Sequence, residues 1–173
     1  GNEDYYWGMG LTAEEVAKEY KINREDQDIF AFNSHQKALS AIENKKFDSQ
    51  IAPINVEEIY LDENSIKKTR NHTYTQDEGP RKDTSIEALS KLRPVFSNTG
   101  SVTAGNSSQM SDGAAFVMIA SESYIKTHNI EPIARLINYS VAGLPPKIMG
   151  VGPIKAIPKV LDKTNLKISD IQL

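Results

Sequence analysis

Cysteine is absent from the 173 residues. That excludes a disulfide framework, thiolate metal sites and a cysteine nucleophile within this stretch. Tryptophan occurs once and histidine three times, at His35, His72 and His128. The histidines stand far apart without an HxxxH-type spacing, so no metal site is expected and each reads as a surface or packing residue. No apolar run approaches the length of about 20 residues that a membrane-spanning helix needs. A phosphate-binding P-loop, a GxGxxG turn after a strand, a GxSxG elbow and internal repeats are all missing. Charge of one sign is scarce too: the net charge is -3 and the 20 basic residues are scattered, so neither a nucleic acid nor a membrane is the expected partner. What is present, 39% hydrophobic and 25% charged residues, is ordinary for a globular chain long enough for one domain or two incomplete ones.

Local patterns divide the chain. Thr12 followed by Glu15 in "GLTAEEVAKEY" predicts a short helix opened by a capping box. Asn23, followed by acidic residues and later by lysines, predicts a longer helix over "NREDQDIFAFNSHQKALSAIENKKF", with Ala31, Ser34, Ala38 and Ile42 as a face of small residues. "QIAPINVEEIYL" reads as an edge strand because of Pro53. From Asp62 to Asp83 the polar, aperiodic composition predicts an excursion with weak local structure. "TSIEALSKL" is a short helix capped by Thr84 or Ser85 and stopped before Pro94.

Beyond residue 110 the pattern changes. Ala114 to Ala120 and "IARLINYSVAG" read as strands, the first of them buried on both faces, and "SESYIKTHN" between them as a helix. "PIKAIPKVLDKTNL" is helical, with regular helix expected only from about Pro158, and "KISDIQL" enters a further strand. Strands alternating with helices argue α/β; the residues before about 100 read as a more irregular α+β region, with a boundary near Ser97–Gly100.

"SVTAGNSSQMSDGAAFVMIAS" sets a puzzle, since short polar side chains and two glycines stand directly before an apolar run. A Ser/Asn-rich turn feeding a strand is one reading. Five stretches in order offer another: "MGLTAEEVAKEY", "REDQDIFAFNSHQKA", "DEGPRKDTSIEALSKLRPVF", "TAGNSSQMSDGAA" and "GLPPKIMGVGPIKAIPKVL" resemble the middle of a thiolase, along essentially the whole chain. "GNSSQ" and "IMGVGPIKAIP" look closer to the 3-ketoacyl-CoA thiolases of fatty-acid degradation than to relatives with "GNASG".

The resemblance implies a partial thiolase-like α/β fold, an α+β loop domain followed by strands and helices of incomplete sheet layers. It implies three divisions: residues 1–100 as the coenzyme A-binding loop domain, 101–132 as the end of the N-terminal half, and 133–173 as the start of the C-terminal half. It implies an acyltransferase that cleaves 3-ketoacyl-CoA or condenses acetyl-CoA, working with two cysteines and a histidine that lie outside this stretch. No catalytic residue, no metal and no covalently bound cofactor is therefore expected here, and the stretch alone is expected to be inactive. CoA or acetyl-CoA is the implied substrate. By the motif match, Arg81 stands near the nucleotide end of CoA, and Phe96, Ala104, Ser107, Ser108 and Met9 border the CoA and pantetheine channel. Met149 is assigned to the acyl pocket, and Asn106 to tying the loop together. Close backbone approach would explain Gly105 and Gly113. Departures are Gly8, Gln109 and Ala88, where biosynthetic relatives have histidine, glycine and serine. A homo-oligomer, dimer or tetramer, in the cytoplasm or an organellar matrix is implied as well. The other reading kept open is a stand-alone acyl-CoA-binding or interaction module without catalysis.

Overall fold

The computed structural model describes residues 3–172; Gly1, Asn2 and Leu173, which belong to the first and last of the three expected divisions, lie outside the described residues. The chain forms two compact units, one running from Asn23 to Gln109 and the other built from the segments up to Ile22 and from Met110 onward.

In the first of these units, α2 (Arg24–Glu43) starts where Asn23 accepts a hydrogen bond from the Asp26 N–H at 2.8 Å, with Glu25 and Asp26 beside the positive end of the helix. It ends with Lys45 in the left-handed region, φ 56°, whose neighbour Lys46 donates back to Ala41. The protected stripe of α2 is Arg24, Asp28, Ala31, His35, Ala38 and Ile42, at helical spacing. Ser34, assigned above to the small-residue face, is exposed. Against α2 lies the short helix α3 (Ile86–Ser90), opened by Ser85 accepting from the Ala88 N–H at 3.1 Å.

Between them rises a hairpin, β1 (Ile54–Leu61) and β2 (Lys67–Tyr74), paired antiparallel with Ile54 opposite Tyr74 and Leu61 opposite Lys67. Its turn is closed by Asp62, whose carboxylate accepts from the N–H groups of Asn64 and Ile66, while Ser65 takes φ 60°. β2 corrects the expectation of weak structure from Asp62 to Asp83. Both faces of the hairpin are exposed, so "KKTRNHTY" carries no apolar alternation to announce a strand. Its ties are cross-strand pairs: Glu58 accepts from Arg70 at 2.6 Å, and Arg70 also lies over the Tyr60 ring at 5.4 Å.

The second unit contains α1 (Met9–Glu19), α4 (Glu122–His128) and α5 (Gly152–Thr164). The cap of α1 is Gly8, one turn earlier than expected. Thr12 is instead inside the helix and buried, its hydroxyl donating to the Met9 carbonyl at 2.8 Å. α1 lies on a 3-10 segment, Pro146–Val151, where Val151 and Ala17 are buried. In α5 regular helix begins at Gly152, not near Pro158, and Pro158 sits inside it. The carbonyl that its missing N–H leaves free belongs to Ile154, an exposed residue.

Among the described residues the strands expected over Ala114–Ala120, 133–143 and 167–173 do not form. Among the described residues the only sheet is the β1–β2 hairpin, and a strand needs a partner for its ladder. Phe116 and Ile133 are accordingly exposed almost completely. The last expected strand is a 3-10 turn at Ile168–Asp170, held by Asp170 accepting from the Lys167 N–H at 2.8 Å. No helix of the described residues is long and apolar enough to cross a membrane. Helices with one two-stranded antiparallel sheet accord with the partial α/β fold expected above.

Candidate functional site

A buried knot of polar groups shapes the unit of residues 23–109. Asp28, 3% exposed, accepts from Arg24 Nε at 2.7 Å and from Asn106 Nδ2 at 3.0 Å. Arg24 Nη2 also reaches the carbonyls of Leu89 and Leu92, at 2.6 and 3.1 Å. The Leu89 carbonyl lies in the last turn of α3, where a cation complements the helix dipole. Both ends of the Asn106 amide are engaged: Oδ1 accepts from the Thr103 N–H at 2.7 Å, and Nδ2 donates to Ser101 O as well as to Asp28. Thr103 is completely buried and pairs in an antiparallel bridge with Pro94. The 101–107 loop is thus bolted to α2 by side chains distant in sequence, and Asn106 ties it together as expected.

Close approach explains one of the two glycines singled out above. A Cβ on Gly105 would lie 2.5 Å from both Leu89 Cδ2 and Leu92 Cδ1. Gly113, in contrast, has nothing within 4 Å of such an atom; close packing there is corrected.

Over this base opens a cleft of about 1090 Å³. Five of the residues singled out above line it together: Arg81, Phe96, Ala104, Ser107 and Ser108. Ser107 donates its hydroxyl hydrogen to Thr103 O at 2.7 Å, which leaves its oxygen free to accept. Ser108 is exposed. Met9 and Met149 belong to the other unit, at the start of α1 and in the 3-10 segment on which α1 lies, both well exposed.

Three lining residues carry contacts that the sequence did not disclose. His35 Nδ1 accepts from the Arg81 N–H at 3.1 Å, which places the ring proton on Nε2 when the ring is neutral. Gln109 Nε2 donates to the Gly79 carbonyl at 3.2 Å. Asp83 takes two bonds from the Arg81 guanidinium, Nε at 3.2 Å and Nη2 at 2.9 Å. Hydrogen bonding from Arg81 holds the Asp83 carboxyl below its ordinary range, and the same contact raises the proton affinity of Arg81. A hint lay in the spacing: His35 falls on the same stripe of α2 as Arg24, Asp28 and Ala31.

The cleft offers aromatic surface from Phe30 and Phe96, one ion pair and short hydroxyls. Aromatic faces, an ion pair and hydroxyls are groups of the kind that line small-molecule sites. Among the described residues no group of histidine and acidic side chains could hold a metal ion.

Comparison with known proteins agrees on one family. Residues 3–123 match the family model "Thiolase, N-terminal domain" and residues 130–173 match "Thiolase, C-terminal domain". The 3-ketoacyl-CoA thiolase of Bacillus subtilis is 44% identical over 170 residues, 98% of this chain and 44% of that protein. Human mitochondrial 3-ketoacyl-CoA thiolase in complex with CoA superimposes with a TM-score of 0.84 at 39% identity, over 99% of this chain and 40% of that one. The dimeric peroxisomal thiolase of Saccharomyces cerevisiae gives 0.83 at 42% identity, over 99% and 41%. The chain thus spans less than half the length of these relatives, and along that span it belongs to the thiolase family.

Proposed function

We propose that this chain is the coenzyme A-binding part of a thiolase, an acyltransferase that cleaves 3-ketoacyl-CoA or joins acetyl units, and that the cleft over the 101–107 loop holds the CoA moiety. One observation carries the reading: Arg81, Phe96, Ala104, Ser107 and Ser108, 27 positions apart at the extremes (81 to 108), line a single cleft. In it Ser108 contacts the pantetheine arm, Ala104 and Ser107 form the wall beside it, Phe96 lies along the channel, and Arg81 meets the nucleotide end. Met9 borders the pantetheine and Met149 the acyl group. With no cysteine among the 173 residues, this stretch supplies no thiolate; its part in the reaction is to hold and orient the thioester. Residues 1–100 serve as the loop domain, 101–132 as the end of the N-terminal half and 133–173 as the opening of the C-terminal half. CoA is a substrate and not a resident cofactor, and the working protein is a homo-oligomer of the cytoplasm or an organellar matrix.

Calorimetric titration with CoA tests this. Saturable binding to the chain, abolished in the Arg81→Glu, Ser108→Asp double variant, is the expected result. A folded chain that takes up no CoA would overturn the reading of the cleft.

A further inference from the structure

Residues 75–84 join the end of β2 to the start of α3 without regular structure of their own. Glu78, Gly79, Arg81, Asp83 and Thr84 of this segment line the cleft. Two side chains from outside the segment hold it. Gln109 Nε2 donates to the Gly79 carbonyl at 3.2 Å, and His35 Nδ1 accepts from the Arg81 N–H at 3.1 Å. The two ties differ in kind. A carboxamide donates at any ordinary pH, whereas an imidazole nitrogen accepts only while it keeps its lone pair. A proton on Nδ1 makes both ring nitrogens donors, and one N–H then faces another. The tie is therefore present while the ring is neutral and is lost as pH falls through the ring's titration.

His35 stands half-buried on the protected stripe of α2. Glu78, Arg81 and Asp83 share the cleft lining with it, and Lys82 lies in the same segment. Hydrogen bonding from Arg81 holds the Asp83 carboxyl low, and the charge of His35 adds the smallest contribution. Asp83 is thus a carboxylate that favours a proton on the ring, and the Arg81 guanidinium opposes it. On α2 itself the residues one turn either side are Ala31, Phe32, Ala38 and Leu39, all uncharged, and Lys37 is off that face. Glu87 is the one titratable residue of α3, and residues 104–109 carry no charge.

We propose that His35 is an acid-release latch: with a neutral ring it holds the 75–84 segment as a wall of the cleft, and on protonation it frees that wall while the knot beneath stays closed. The knot joins Arg24, Asp28 and Asn106 and uses no histidine. Such a latch works whatever ligand the cleft takes.

Amide exchange by NMR on the whole chain tests it, with the His35 ring resonances followed in the same samples. After correction for the intrinsic pH dependence of exchange, protection of the Arg81 N–H should fall about fivefold as the ring protonates, with the same midpoint. Protection of the Thr103 N–H, bonded within the knot, should hold over that range. His35→Asn sets a carbonyl oxygen near the place of Nδ1 and removes the titration, so Arg81 should stay protected throughout. His35→Ala should leave Arg81 unprotected at every pH. Arg81 protection that ignores the ring titration, or is absent with the ring neutral, overturns the latch. So does an unchanged pH profile in His35→Asn, which would assign the effect to Glu78 or Asp83. Equal loss at Thr103 overturns it too, since the whole unit would then be loosening. Should circular dichroism show a variant unfolded, the wild-type midpoints of the ring and of Arg81 decide: coincidence supports the latch and separation refutes it.

Discussion

Consider Asp28→Ala. The carboxylate lies 3% exposed between Arg24 and Asn106, so its removal takes the counter-charge from one neighbour and an acceptor from the other. Breaking a buried pair from one side costs about 3–5 kcal/mol. Two features lower that figure. The Arg24 side chain is 26% exposed, and it keeps the Leu89 and Leu92 carbonyls as acceptors. The expected loss is about 2–3 kcal/mol, on the order of a hundredfold in the local opening equilibrium. Amide hydrogen exchange at Thr103 is the assay, because its N–H is bonded to Asn106. Tryptophan fluorescence would miss the effect, since the single tryptophan, Trp7, belongs to the other unit. In a double-mutant cycle with Arg24→Ala the pair should show coupling of about 1–3 kcal/mol. Exchange at Thr103 accelerated by less than about threefold, or strictly additive single variants, would refute the idea that this knot holds the cleft loop.

Gly105→Ala should destabilise the same unit by about 1–3 kcal/mol in urea unfolding followed by circular dichroism, because the new methyl group overlaps Leu89 and Leu92. Gly113→Ala, with open space around it, should stay within about 0.5 kcal/mol of the parent; equal effects from the two would contradict the packing described. The hairpin should weaken in acid. Hydrogen bonding from Arg70 depresses the Glu58 carboxyl, and hydrogen bonding from Lys68 and then the Ile66 N–H depresses Asp62. Groups depressed in the folded state contribute stability above their unfolded pKa values, about 4, and lose it as pH falls through the lower folded values. Carboxyl titration by NMR with amide exchange across β1 and β2 checks this, and hairpin protection that stays constant down to full protonation would count against it.

What could be read from the sequence was what local chemistry decides. Asn23 and Ser85 cap their helices in the residues that follow, and the signal and the structure occupy the same few positions. The five cleft residues were recognisable because motifs preserve chemistry at fixed places along the chain. β2 was hidden because a strand exposed on both faces has no periodicity to show. The run at Ala114–Ala120 misled in the opposite direction: its apolar character announces burial, but the described residues supply no strand to pair with it. Asp28 looked like one more acidic residue near a helix start. Its role depends on Asn106, 78 residues away, and no local rule reaches that far. His35 was missed for a like reason, since it meets Arg81 across 46 residues.

Several side-chain ties beneath the cleft run from α2 to residues beyond 80, as Arg24 does to Leu89 and His35 to Arg81. Every one of them spans the hairpin, which stands on the chain between the two anchored ends. In polymer terms the hairpin is the interior of a loop whose closure is fixed by other residues. Doubling such a loop adds only about 0.6 kcal/mol of closure entropy. Residues 54–74 can therefore be lengthened, shortened or given new side chains at little expense to the cleft, whose floor is fixed by residues on either side of them.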